Sequence, residues 1–281
     1  LVPMHGLQHG DETPFFLAAG MFGNVLNLRH LALQLGTDRP FYGIQARGLF
    51  GEAVPHETFE EMARDYLAEV RQVQPHGPYL LGGFSGGGVA AFEMARQLLA
   101  EGEEVAQLVL LDTPAPMPKA QLSLREKVQL HLQGFRAEGP RYAATWMRRR
   151  ADWRAEQQGR VEQAGATVAD GVLHSTEIEQ AFLNSLDAYS LRPAAVPATL
   201  LRPAHRPRHV FGPDRQIDAD RNFLFSDNQW TPFVTSISVI EVPGDHDSMM
   251  LEPNVRVLAA HLRTSIADAL DASVRHRARE T

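Results

Sequence analysis

Ser85 stands in the run Gly82-Gly83-Phe84-Ser85-Gly86-Gly87-Gly88, where it is the only nucleophilic side chain among glycines and one aromatic ring. A serine hydroxyl attacks a carbonyl only when a base takes its proton, and that base needs a third group to hold its tautomer. His246, in Pro243-Gly244-Asp245-His246-Asp247-Ser248, and Asp112, directly after Gln107–Leu111, supply those two types. In that combination Ser85 attacks, His246 carries the proton to the leaving group, and Asp112 stabilises the imidazolium: the chemistry is acyl transfer. The backbone amide of Gly86, at a helix start beside the hydroxyl, is placed to receive a developing oxyanion. A second donor is expected from the turn Ala19-Gly20-Met21-Phe22-Gly23-Asn24, with the Met21 amide as candidate.

Each assignment has a rival. A glycine-rich turn also binds phosphate, but that loop takes the form GxxxxGK[ST], and no lysine lies near residues 82–89. His246 could be a loop histidine bonded to Asp245 or Asp247; its place after the last strand favours the catalytic reading. Asp214 lies twelve residues beyond the strand Ala198–Arg202, where hydrolases of this type more often carry the acid, whereas Asp112 follows its strand directly and is preferred. His205 and His209 are four apart, but Pro203 and Pro207 forbid the helix that would aim both at one metal, so a solvated loop is expected and no metal site is assigned.

The elements that must position these groups are legible as period and punctuation. Apolar runs at Phe15–Ala19, Phe41–Gln45, Tyr79–Leu81, Gln107–Leu111, Ala198–Arg202 and Ile237–Val242 read as buried strands. Helical patterns lie between them: Leu26 to Leu35, Glu57 to Gln74, and the stretch after Ser85 with Val89, Phe92, Ala95 and Leu99 on one side. A last helix runs from Pro253 through Leu270, and a frayed tail is expected after Asp271. Alternating strands and helices predict a mostly parallel sheet flanked by helices, with Ser85, Asp112 and His246 at the carboxyl ends of three strands. The order Ser, Asp, His is that of the α/β-hydrolase fold.

Residues 113 to about 195 break the rhythm. Ser123–Phe135, Gly139–Arg160 and Ser175–Ser190 read as helices, which predicts an all-helical lid insertion. Tyr142, Trp146 and Trp153 share a helical face interrupted by Arg149; the stripe is either core or the lining of an apolar substrate channel. Residues 203–232 read as a long excursion before the last strand, and residues 1–13 as a linker into a domain spanning 14–281.

The 281 residues, 44% of them hydrophobic, suffice for one large core. A net charge of −7 offers no basic excess for a nucleic-acid backbone. No window approaches the roughly 18 apolar residues of a membrane span, so a cytoplasmic location is expected. The chain has no cysteine, which excludes disulfides and thiolate catalysis. The first residue is Leu, which reads as an excised piece of a longer polypeptide.

Together, Phe15 to Gly23, GGFSGGGVAAFEMARQL at 82–98, LVLLDTPAP at 108–116, Trp230 and VPGDHDSMMLEPNV at 242–255 resemble the type I thioesterase domains that end nonribosomal peptide synthetase and polyketide synthase assembly lines. The resemblance covers nearly the whole chain. It implies an acyl or peptidyl chain delivered as a thioester on the 4′-phosphopantetheine arm of an upstream carrier domain, with no cofactor of the enzyme's own. It places the nucleophile on Ser85, the acid on Asp112, the base on His246 and the oxyanion amide of the first loop on Met21. Relatives often carry His-Pro where this chain has Ala18-Ala19-Gly20, a change outside the amide that does the work. Arg141, Arg148, Arg149, Arg150 and Arg154 form either a solvated face or a dock for an acidic carrier. A free-standing editing thioesterase, a general serine esterase and an inactive hydrolase fold that binds acyl carriers remain alternatives, as do hydrolytic and cyclising release.

Overall fold

Strands buried on both faces must be apolar along their whole length, and the central strands are. In chain order the strands of the computed structural model are β1 (Val2–Pro3), β2 (Phe15–Ala18), β3 (Phe41–Ile44), β4 (Tyr79–Phe84), β5 (Val105–Leu111), β6 (Pro197–Pro203), β7 (His209–Gly212), β8 (Arg215–Ile217), β9 (Phe223–Leu224) and β10 (Ser236–Val242). The helices are α1 (Arg29–Leu35), α2 (Phe59–Val73), α3 (Gly87–Ala100), α4 (Leu124–Glu138), α5 (Ser175–Ala188) and α6 (Asn254–Glu280). The structure describes residues 1–4, 12–118, 120–139, 141, 147–148, 175–212, 215–219 and 222–280. They belong to two compact units, one of Leu1–Met117, Leu173–His205 and Phe225–Thr281, the other of Pro118–Val172 and Arg206–Leu224.

The first unit is built on a seven-stranded sheet in the order β1-β3-β2-β4-β5-β6-β10, parallel throughout except for β1 against β3. Successive side chains leave a strand on opposite faces. Accordingly Phe16, Tyr79 and Leu81 enter one core with α2 and α3, while Phe15, Leu80 and Val109 enter the other with α1 and α6. Thr58 caps α2 by accepting from the Glu61 amide at 3.1 Å. Among the described residues no helix is long and apolar enough to cross a membrane.

Expectations change at both ends of the chain. Residues 1–13 are not simply a linker, because Val2 and Pro3 pair with Gly43 and Tyr42 as an edge strand. Proline is tolerated at an edge, where its missing N–H costs no ladder bond. The tail beyond Asp271 continues α6 to Glu280: Ser273 Oγ donates to Glu104, and Arg277 lies 3.7 Å from the same carboxylate. Between 113 and 195 the regular elements among the described residues are the helices α4 and α5. Residues 113–117 and α5 belong to the sheet unit, and the second unit joins 118–172 to 206–224, where β7, β8 and β9 form an antiparallel sheet. Thus the excursion at 203–232 holds strands of two to four residues, too short for periodicity to register.

Within the second unit, Ser123 and Glu126 form a capping box at the start of α4, and Arg215 Nη2 of β8 donates to Glu126 at 2.9 Å. Arg215 and the Ser123 donors together hold the Glu126 carboxyl down at about 2. His209 is not in a solvated loop: it lies in β7, with Nδ1 2.9 Å from Gln133 Oε1. Tyr142, Trp146 and Trp153 lie outside the described residues, as do Asp214, Arg149, Arg150 and Arg154. Arg141 and Arg148 are described and exposed.

Candidate active site

The elbow forms because three glycines leave room for close neighbours, backbone at Gly83 and Gly87 and the Thr113 side chain at Gly88. A Cβ on Gly83 would overlap Gly87, one on Gly87 would overlap the Ala18 and Ala19 carbonyls, and one on Gly88 would overlap Thr113. Ser85 itself sits at φ 53°, a left-handed conformation that L-residues adopt only under constraint. The constraint is supplied by the Ser85 N–H, which donates to the Leu111 carbonyl at 2.8 Å, and by Thr113 Oγ1, which donates to the Ser85 carbonyl at 2.8 Å.

Asp112 follows β5 at φ 46°, its N–H donating to Leu201 O of β6 at 2.8 Å. His246 follows β10, beyond Gly244 at φ 100°. Its loop is closed by Asp245, whose carboxylate accepts from Ser248 N at 2.9 Å and Ser248 Oγ at 2.6 Å. The structure brings all three residues together: His246 Nδ1 is 2.7 Å from Asp112 Oδ2, and His246 Nε2 is 3.1 Å from Ser85 Oγ. The Phe84 ring stacks on the imidazole at 5.0 Å between centroids, which fixes the plane of the ring. The hydrogen bond to Asp112 raises the His246 pKa; burial opposes this, and the charges of Asp112, Asp247 and Asp245 add to it.

Gly86 precedes the first turn of α3, whose leading amides have no acceptor within the helix. Met21 lies in the turn closed by the Gly23 N–H donating to Gly20 O at 2.8 Å, and a Cβ on Gly20 would stand 3.7 Å from that of Ser85. Both candidate donors therefore belong to segments packed against Ser85. Phe182 of α5 covers Gly86, whose Cβ would meet that ring at 2.5 Å.

Sequence reasoning missed the link between Asp112 and Ser85. Trp230, fully buried against Phe92, donates from Nε1 to Thr113 O at 2.8 Å, and Asn228 Nδ2 donates to the same carbonyl at 3.3 Å. Thr113 thus ties the turn that carries Asp112 to the elbow. A buried Trp must satisfy its N–H, and this requirement was the available signal. Trp230→Phe keeps the aromatic contact but loses the donor, and should destabilise the fold by about 2 kcal/mol in denaturant unfolding. His205 is half-buried beyond β6 rather than solvated, and burial, with Arg202 nearby, lowers its pKa.

The sequence profile described as the thioesterase domain matches residues 13–266. The chain belongs to this family. Indigoidine synthase of Dickeya dadantii (strain 3937) is 47% identical to the thioesterase domain over 107 residues, 38% of this chain and 7% of that protein. Polyketide synthase PksR of Bacillus subtilis (strain 168) is 40% identical over 114 residues, 41% of this chain and 4% of that one. The matched stretches are thus a small part of each relative's length. Among solved structures, a four-domain nonribosomal peptide synthetase, holo-AB3403 bound to AMP and glycine, superposes with TM-score 0.62 at 26% identity, over 92% of this chain and 20% of the other. The NocB thioesterase domain, in covalent complex with a fluorophosphonate nocardicin G analog, superposes with TM-score 0.60 at 23% identity over 92% of this chain and 96% of its own, a likeness of fold. The mostly parallel sheet flanked by helices is the α/β-hydrolase fold of such thioesterases.

Proposed function

We propose that this thioesterase domain releases an acyl or peptidyl chain from the phosphopantetheine thioester of an upstream carrier domain, through an acyl-enzyme on Ser85. The observation that carries the reading is the relay Asp112–His246–Ser85, with hydrogen bonds of 2.7 and 3.1 Å. Ser85 Oγ attacks the thioester carbonyl as its proton passes to His246 Nε2, and Asp112 stabilises the imidazolium. The resulting oxyanion accepts from the amides of Gly86 and Met21. Collapse breaks the C–S bond, and the departing sulfur takes the proton from His246, leaving the acyl group on Ser85. Water, or a nucleophile within the chain itself, then gives its proton to His246 and attacks the ester. Ser85 leaves with that proton, and the product is a free acid or a ring.

The raised pKa of His246 sets the pH dependence. The base must be neutral, so acylation should rise with pH through a midpoint above the ordinary histidine value of about 6.5. Stability runs the opposite way. A group whose folded pKa is raised contributes stability below its unfolded pKa and loses that contribution as pH rises through the folded value. Single-turnover rates between pH 5 and about 9, with unfolding measured at each pH, test both signs.

A panel of acyl-pantetheine thioesters, followed by mass spectrometry, tests the function. Acylation at Ser85 with free acid released indicates hydrolysis, and a product lighter by one water indicates cyclisation. A folded protein that no thioester acylates would refute the reading.

A further inference from the structure

Among the described residues away from the catalytic relay, a cluster of charged side chains joins the loop after β3 to α2. Arg47 Nη1 donates to Asp65 Oδ2 at 2.7 Å, Nη2 to Glu61 Oε1 at 2.8 Å and Nε to the Val54 carbonyl at 2.9 Å. Almost fully buried, His56 lies with Nε2 2.9 Å from the same Asp65 oxygen. Burial lowers the His56 pKa, so the neutral ring donates to Asp65; the bonds from Arg47 and His56 hold Glu61 and Asp65 ionised. His56, Glu61 and Asp65 approach closely enough to ligate one cation, and the Arg47 guanidinium supplies the positive charge there.

The neighbouring residue connects this cluster to the reaction. Ala46 N donates to Gly23 O at 2.8 Å, and Gly23 N closes the turn onto Gly20 O at 2.8 Å, with Met21 between. Ala19 N donates to Ile44 O at 3.0 Å, so the turn is tied at one end to the last residue of β3 and at the other to the loop that follows it. Gly23 has φ 74°, and a Cβ there would stand 2.5 Å from that of Ala46, which leaves the two segments no freedom to slide. Met21, Arg47 and His56 line one pocket of about 20 Å³.

We propose that Arg47 is a positioning residue for the oxyanion turn: its three-way clamp on Asp65, Glu61 and Val54 holds Ala46 where it fixes Gly20–Gly23 and so aims the Met21 amide. The proposal rests on the reading of that amide as an oxyanion donor. Losing an oxyanion donor outright costs about 10² to 10³ in rate, and misdirecting one costs less. Leu49, buried on the same loop, anchors it independently of Arg47, so the fold should survive the loss of the guanidinium.

Arg47→Met should slow single-turnover acylation of Ser85 roughly tenfold. KM and the pH midpoint set by His246 should not move, and Arg47→Lys should recover part of the rate. Gly23→Ala disturbs the same turn, so the double variant with Arg47→Met should lose little more than the worse single variant. An unchanged rate in Arg47→Met, a moved pH midpoint, or losses that multiply in the double variant would overturn the proposal. If Arg47→Met does not fold, Glu61→Gln combined with Asp65→Asn removes two partners and should give the same pattern; an unchanged rate there is equally fatal. A wild-type protein that is not acylated at all would overturn the chain-release reading itself, which separates the two failures.

Discussion

Ser85→Ala should lower acylation by a pantetheine thioester by roughly 10⁶-fold, the scale on which serine nucleophiles fail when their oxygen is removed. What remains is catalysis by the oxyanion amides and by binding alone. The substitution is clean because it leaves the elbow in place. Alanine keeps the Cβ, and the left-handed backbone at φ 53° is held by the Leu111 and Thr113 hydrogen bonds, neither of which uses the Ser85 hydroxyl. The His246 imidazole loses one partner but is 44% exposed and can turn to water. Unfolding free energy should therefore change by less than about 0.5 kcal/mol. Mass spectrometry of the intact protein reads the acyl adduct directly; an adduct that persists in Ser85→Ala would place the nucleophile elsewhere.

Asp112→Asn should cost roughly 10⁴ in acylation rate with little change in fold, because the geometry survives while the tautomer does not. An Asn amide nitrogen facing His246 Nδ1 drives the imidazole proton to Nε2, where it points at Ser85 Oγ and blocks proton transfer. Asn tolerates the φ of 46° that the position demands, and the Asp112 N–H still donates to Leu201. Loss of the carboxylate also removes the bond that raises the His246 pKa. The acid limb of the pH–rate profile should move downward, a readout that a merely loosened loop would not give. Asp214→Asn is the control: if it costs more than Asp112→Asn, the acid has been misassigned.

Local signals carried the chemistry a long way. A strand, a glycine turn around Ser85 and a helix are each written within a few residues, so the elbow was visible without any long-range contact. The rule that side chains gather at the carboxyl ends of parallel strands then brought Asp112 and His246 into range. The choice of Asp112 over Asp214 followed from its lying directly after a strand. The short edge strand at Val2–Pro3 left no such trace, nor did the antiparallel strands between His209 and Leu224 or the last turns of α6. Two or three residues define no period, and the end of α6 is held by Glu104, far away in sequence.

By itself, then, the sequence determined the order of the long strands and helices and the positions of Ser85 and His246 at the ends of two of those strands, because these depend on hydrophobic period and on the glycines a strained turn requires. Tertiary structure alone decided that Trp230 reaches Thr113, that Thr113 joins the turn carrying Asp112 to the elbow, and that Arg47 bridges its loop to Glu61 and Asp65. Those bonds span from 14 to 117 residues of chain. Their partners are chosen by how sheet and helices pack, and no spacing in the sequence encodes that choice.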